Sequence, residues 1–122
     1  MSIIITGKVV EGSKIGTFIG YPTINIPIDS IIKITNGSYF VSVVIEGFNY
    51  KGLANIGTRP TVSDNIDRFL EVYILDYNGN AYGKTVSVKL QKFIRPEAKF
   101  DSVDELKQAI EGDLKIVMTY AE

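Results

Sequence analysis

Glu71 stands in RFLEVYILDY with Phe69, Tyr73 and Leu75 at two-residue spacing, so a strand through this stretch sets all four on one face. A carboxylate among aromatic and aliphatic neighbours loses hydration, which raises its pKa toward the range of a general base. An ordinary solvent-facing strand glutamate fits the same pattern. In IGYPTINIP, Thr23 and Asn25 lie two apart after a Gly-Tyr-Pro loop, and in extended chain their oxygens converge on one spot. Two neutral hard oxygens suit Mg2+, which takes few protein ligands and completes its octahedron with water and phosphate oxygens. The competing role for Asn25 is to satisfy turn backbone.

Two loops add possible ligand contacts. In EGSKIGTFIG, Gly12, Gly16 and Gly20 recur every four residues around Lys14. Bare backbone there can form an anion nest, and the lysine adds a point charge for phosphate. No Gly-Lys-Ser/Thr follows, so this is no Walker A loop, and a simple flexible turn remains open. In FIRPEAKF, Arg95 offers a planar fork to phosphate or to a flat ring, while Phe93 and Phe100 offer apolar faces. The structural alternative pairs Arg95 with Glu97 and packs both phenylalanines over a barrel mouth.

Composition narrows the chemistry further. Thirteen basic and fourteen acidic residues leave a net charge of -1, so no broad positive field draws nucleic acid or anionic lipid. With no His and no Cys, thiol catalysis, Cys/His zinc sites and histidine relays are excluded. Carboxylates, Lys, Tyr, hydroxyls and backbone groups remain. The opening MSIIITGKVV is too briefly apolar for a signal peptide or a membrane span, and a soluble cytoplasmic protein is expected.

The elements that must position these residues are mostly strands. At 122 residues the chain makes one domain with a sizeable core. Apolar residues alternate in Tyr39, Val41, Val43 and Ile45, and Gly47 turns the chain back into Tyr50 to Ile56. Phe69 to Leu75 forms another strand, for which Asn78-Gly79 supplies a tight turn, and Val86, Val88 and Leu90 oppose Ser87, Lys89 and Gln91 in the next. Ile3 to Val10 and Thr23 to Ile26 bring the total to about six strands, the spacing of a small closed barrel over about 3–94. A helix is expected over about 102–120: Ser102 and Glu105 form a capping box, and Val103, Leu106, Ile110, Leu114, Val117 and Ala121 share a face. Gly112 predicts a kink or break within it.

Taken in order, Gly-x3-Gly-x3-Gly-Tyr-Pro-Thr-Ile-Asn, GLANIGTRPTV, LEVYILDY, AYG and FIRPEAKFDSVDELKQAI resemble the riboflavin kinase family, which also occurs as the C-terminal module of bacterial bifunctional FAD synthetases. The likeness runs from about Gly7 to Asp113. It implies an all-β fold with one C-terminal helix, a six-stranded antiparallel Greek-key barrel. It also implies transfer of the ATP γ-phosphate to the ribityl 5′-hydroxyl of riboflavin, giving FMN and ADP. By motif position, Glu71 is the general base and Thr23 and Asn25 hold Mg2+. Gly12, Lys14, Gly16, Gly20, Ile74, Asp76 and Tyr82 lie near the nucleotide, while Arg95, Glu97 and Phe100 form a flap over the flavin.

Two departures stand out. Ile24 replaces an alanine common in the family, facing away from the metal pair, and Thr17 stands where many members carry a basic residue. No adenylyltransferase module precedes the barrel in this sequence, so the chain is expected to make FMN and stop, as a monomer, unless it is a domain excised from a bifunctional protein. A barrel that binds flavin or nucleotide without turnover is the alternative, but pure binding needs no acid at Glu71. An oligonucleotide-binding barrel would need more strand cations than Lys84, Lys89 and Lys92.

Overall fold

The computed structural model describes residues 3–11, 19–29, 32–60 and 66–120. Six antiparallel strands, β1 (Ile3–Lys8), β2 (Ile24–Ile28), β3 (Gly37–Ile45), β4 (Phe48–Pro60), β5 (Ile66–Ile74) and β6 (Thr85–Pro96), precede one helix, α1 (Val103–Thr119). Their order in the sheet is β1-β6-β3-β4-β5-β2. The run β6-β3-β4-β5 is a Greek key, in which the last strand returns beside the first of three consecutive ones. Val10 bridges to Asn25, its N–H donating to the Asn25 carbonyl at 2.8 Å, and draws the two edge strands together into a nearly closed barrel. Both sheet edges are thereby shortened.

Alternation builds the interior. Ile5, Ile26, Val41, Val43, Ala54, Ile56, Leu70, Val72, Val86 and Val88 point inward and are buried. Ile24 packs against this same core, on the opposite side of β2 from Asn25. Between β3 and β4, Glu46 and Gly47 form a two-residue turn with φ of 51° and 84°, the left-handed pair that matches the twist of a hairpin. Strand β6 is less regular than its sequence pattern. Register slips opposite Ser38/Tyr39 and Phe40/Val41 insert extra residues, bringing Phe93 onto Tyr39 with ring centroids 5.2 Å apart before Arg95 returns to the outer face.

Asn78-Gly79 does not make the expected tight turn after β5. That strand pairs with β4 and β2, not with β6, so no hairpin joins them. Residues 75–84 form a long connection whose left-handed residues are Asp76 (φ 60°) and Gly83 (φ 80°). It is tied to the chain after β1, Val9 donating to the Lys84 carbonyl and Gly83 to the Val9 carbonyl, each at 2.9 Å.

Helix α1 covers part of the outer barrel face. Ser102 caps it, the hydroxyl accepting from the Glu105 N–H at 3.1 Å, with Asp104 and Glu105 favourably placed at the positive end of the helix dipole. Val117 is fully buried against Phe40 and Leu53, with Ile110 and Leu114 beside it, and Tyr120 stacks on Phe40 at 5.0 Å. Val103, in the first turn, is not part of the apolar cluster under the helix and stays exposed; Ala121 lies outside the described residues. No helix among the described residues is long and apolar enough to cross a membrane.

Nor does Gly112 break the helix, which is continuous through it. Packing on either side, by Ile110, Leu114 and Val117, outweighs the local cost of about 1 kcal/mol for a helical glycine. A Cβ at this position would meet nothing within 4 Å. Gly112→Ala should therefore raise unfolding stability by about 0.5–1 kcal/mol in urea denaturation. A loss would mean that the helix depends on glycine there.

Candidate active site

Antiparallel pairing sets directly opposed residues on one face of a sheet. Asn25 opposes Glu71 between β2 and β5, Glu71 opposes Asn55 on β4, Asn55 opposes Ser38 on β3, and Ser38 opposes Arg95 on β6. Five strands thus contribute one polar row across the outer face. It ends on the helix, where Arg95 grips Asp113: Nε donates to both carboxylate oxygens at 3.0 and 3.2 Å, and Nη2 to one of them at 2.8 Å.

Two clefts open along this row. The smaller, about 230 Å3, has Leu53, Asn55, Glu71 and Tyr73 on the strands, with Leu106 and Ile110 on the helix. Arg95, Glu97 and Phe100 also line it, from the end of β6 and the loop beyond. The larger, about 640 Å3, includes Gly20, Asn25, Ile74, Asp76 and Tyr82, from the turn before β2, β2 itself, the end of β5 and the long connection. Thr23 and Tyr73 line both, so the two spaces adjoin. Gly12, Lys14 and Gly16 lie outside the described residues.

The Asn25 side chain is 3% exposed, and its Oδ1 has no hydrogen-bond partner among the described residues. An orphaned buried amide oxygen costs about 1–3 kcal/mol, so a further donor or cation is called for. Thr23, half-buried, is two residues away at the junction of the clefts. Glu71 is half-buried beside it in register.

Arg95 does not pair with Glu97. Its fork is occupied by Asp113, which is nearly buried, and the guanidinium carbon lies 5.7 Å from the Phe100 ring centroid. Bidentate geometry on a desolvated carboxylate outcompetes an exposed neighbour two residues along. Gly20, at φ 93°, makes the turn that delivers Tyr21 to the cleft. There the Tyr21 ring meets Tyr73 edge-on at 5.3 Å, and its hydroxyl donates to Oε2 of Glu111 at 3.2 Å. Burial first, then the Glu111 carboxylate, hold this phenol above its ordinary range, so it stays a neutral donor.

Comparison with known proteins shows what the chain is similar to. The family model for flavokinase, described as riboflavin kinase, matches residues 1–121. The chain belongs to the riboflavin kinase family. It is 45% identical over 112 residues to the bifunctional riboflavin kinase/FMN adenylyltransferase of Escherichia coli (strain K12), covering 89% of this chain and 35% of that protein. The chain therefore spans about a third of this relative. A solved structure described as a macrolide-efflux protein from Streptococcus pneumoniae superposes with TM-score 0.86 at 34% identity, over 97% of this chain and 39% of that one. The riboflavin kinase of Trypanosoma brucei shares the fold, with TM-score 0.64 at 24% identity over 97% and 78% of the two chains.

Sequence reasoning passed over Tyr21, Asn55 and Asp113 as site residues. Asn55 could have been found by setting GLANIG opposite LEVYIL and noting which polar residue meets Glu71. The Arg95–Asp113 contact joins a strand to a helix and carries no local signal. Removing Arg95 strands the more buried partner, so Arg95→Leu should cost about 3 kcal/mol in chemical denaturation. Asp113→Leu should cost less, because the guanidinium left behind is 28% exposed against 7% for the carboxylate. The reverse order would mean that the pair does not anchor the helix.

Proposed function

We propose that this domain transfers the γ-phosphate of ATP to the ribityl 5′-hydroxyl of riboflavin, producing FMN and ADP. The observation that carries the reading is the direct opposition of Glu71 and Asn25 where two clefts adjoin at Thr23 and Tyr73. One space suits a flat ring with a polyol tail, the other a nucleotide. The smaller cleft is walled by Leu53, Leu106, Ile110 and Phe100, apolar surface of the kind that accepts an aromatic ring. Arg95, already bound to Asp113, would meet the ligand as a planar group and not as a free phosphate fork. Glu97 and Phe100 complete this side, and Gly20, Ile74, Asp76 and Tyr82 the nucleotide side. Family motif alone assigns Gly12, Lys14 and Gly16 to the phosphates.

Glu71 is the assigned base. It would orient the ribityl hydroxyl and take its proton as oxygen bonds to the γ-phosphorus, while the bond to the β,γ-bridging oxygen breaks and ADP departs. Most of the acceleration then comes from alignment and charge neutralisation. The orphaned Asn25 oxygen and the nearby Thr23 hydroxyl fit a hard divalent cation, so these two would hold Mg2+ against the phosphates. Bound there, the ion would neutralise developing phosphate charge. ATP-dependent chemistry of this kind belongs in the cytoplasm. The proposed working unit is a monomer. In a longer protein like the Escherichia coli relative, an adenylyltransferase would be the neighbouring domain.

Incubation with riboflavin and Mg-ATP, with FMN resolved by chromatography, tests the activity; binding without FMN would leave a non-catalytic flavin binder. Glu71→Gln should keep both affinities within a few-fold and cut turnover by about a hundred-fold or more, the scale for a lost general base. Unchanged turnover would remove Glu71 from the chemistry. Thr23→Val should weaken Mg-ATP binding more than riboflavin binding, and equal losses would point to a folding defect.

A further inference from the structure

Arg68 lines neither cleft, yet its guanidinium makes four hydrogen bonds to the chain before β3. On β5 it shares the inward register of Leu70 and Val72, at the end of the barrel. Nη1 donates to the Ile32 carbonyl at 2.6 Å and Nη2 to the Ile34 carbonyl, while Nε and Nη2 reach Oδ1 of Asn36 at 3.2 and 2.8 Å. The Tyr39 hydroxyl adds a bond to the Thr35 carbonyl at 2.5 Å. Residues 32–36 are thereby pinned over the barrel end.

A guanidinium has only donors, so it dictates which way an amide faces. With two N–H groups on its oxygen, Asn36 must turn its NH2 outward, where Nδ2 lies 3.5 Å from Oε1 of Glu97. The other Glu97 oxygen sits over Gly57, at a spot where any Cβ would collide with it. At 3.5 Å the contact is at the long limit of hydrogen bonding, so its polarity counts more than its strength: a donor attracts the carboxylate and an acceptor repels it.

We infer that Asn36, its amide oriented by Arg68, is a positioning residue that holds the Glu97 carboxylate at the rim of the flavin-side cleft. This rests on the proposed riboflavin site. Asn36→Asp tests it, because a carboxylate still accepts from Arg68 but presents oxygen to Glu97. The expected result is riboflavin binding about tenfold weaker by fluorescence quenching, a coupling typical of contacting residues. Mg-ATP affinity should stay within about twofold by calorimetry and the melting temperature should be unchanged, as the Arg68 anchor is retained. Adding Glu97→Gln restores a donor opposite the introduced carboxylate, so the double variant should bind riboflavin within about twofold of Glu97→Gln alone.

Unaltered riboflavin affinity in Asn36→Asp overturns the inference, as does a loss that Glu97→Gln fails to suppress. Equal weakening of both ligands with a lowered melting temperature overturns it too, since that is a purely structural role. A parent protein that binds no riboflavin overturns the function reading and this one together; a parent that binds, with an indifferent Asn36→Asp, overturns this one alone.

Discussion

Register between β2 and β5 is the constraint on which the site depends. Opposition of Asn25 to Glu71 is fixed by the pleat, since slipping one residue would send Glu71 into the apolar interior and Leu70 or Val72 onto the outer face. The burial of Ile26, Leu70 and Val72 therefore does more than stabilise the barrel: it specifies where a carboxylate and an amide meet. Asn55, Ser38 and Arg95 are placed by the same rule, strand by strand.

What the barrel cannot supply is a wall over that face, and α1 provides it. The helix is held by apolar contact at Val117 and, one turn earlier on the same face, by the Arg95–Asp113 pair at the cleft wall. The pair costs desolvation on both sides and brings geometric definition: a bidentate fork permits only a narrow range of orientations for the helix above the strands. Leu106 and Ile110 are thereby set at a fixed distance from Leu53 and Tyr73, leaving a slot between them.

Much of this was legible in the sequence because alternation is a local signal. The inward sets of β3 and β6, the turn at Gly47 and the Ser102 N-cap each depend on neighbours a few residues away. Type and spacing single out Glu71, Thr23 and Asn25 as candidates, but the opposition of Asn25 to Glu71 depends on strand pairing, which spacing alone does not give. Asn78-Gly79 misled for the same reason: a good turn dipeptide was present, but β5 finds its partners elsewhere. The β6 slips and the Arg95–Asp113 contact are likewise non-local, and Gly112 shows tertiary packing overriding propensity.

The pairing also explains why the residue opposite Glu71 is an amide. Like charges directly opposed across strands are destabilising, and two carboxylates at one site would push one of their pKa values up and couple their titrations. In the proposed mechanism an aspartate at position 25 would be a stronger cation ligand, but it would set a second carboxylate against the proposed base. Asparagine offers an oxygen of the same reach without a second negative charge opposite Glu71. The weakness of a neutral ligand matters little where the proposed substrate brings phosphate oxygens of its own, so the amide keeps the charge of this opposed pair on Glu71.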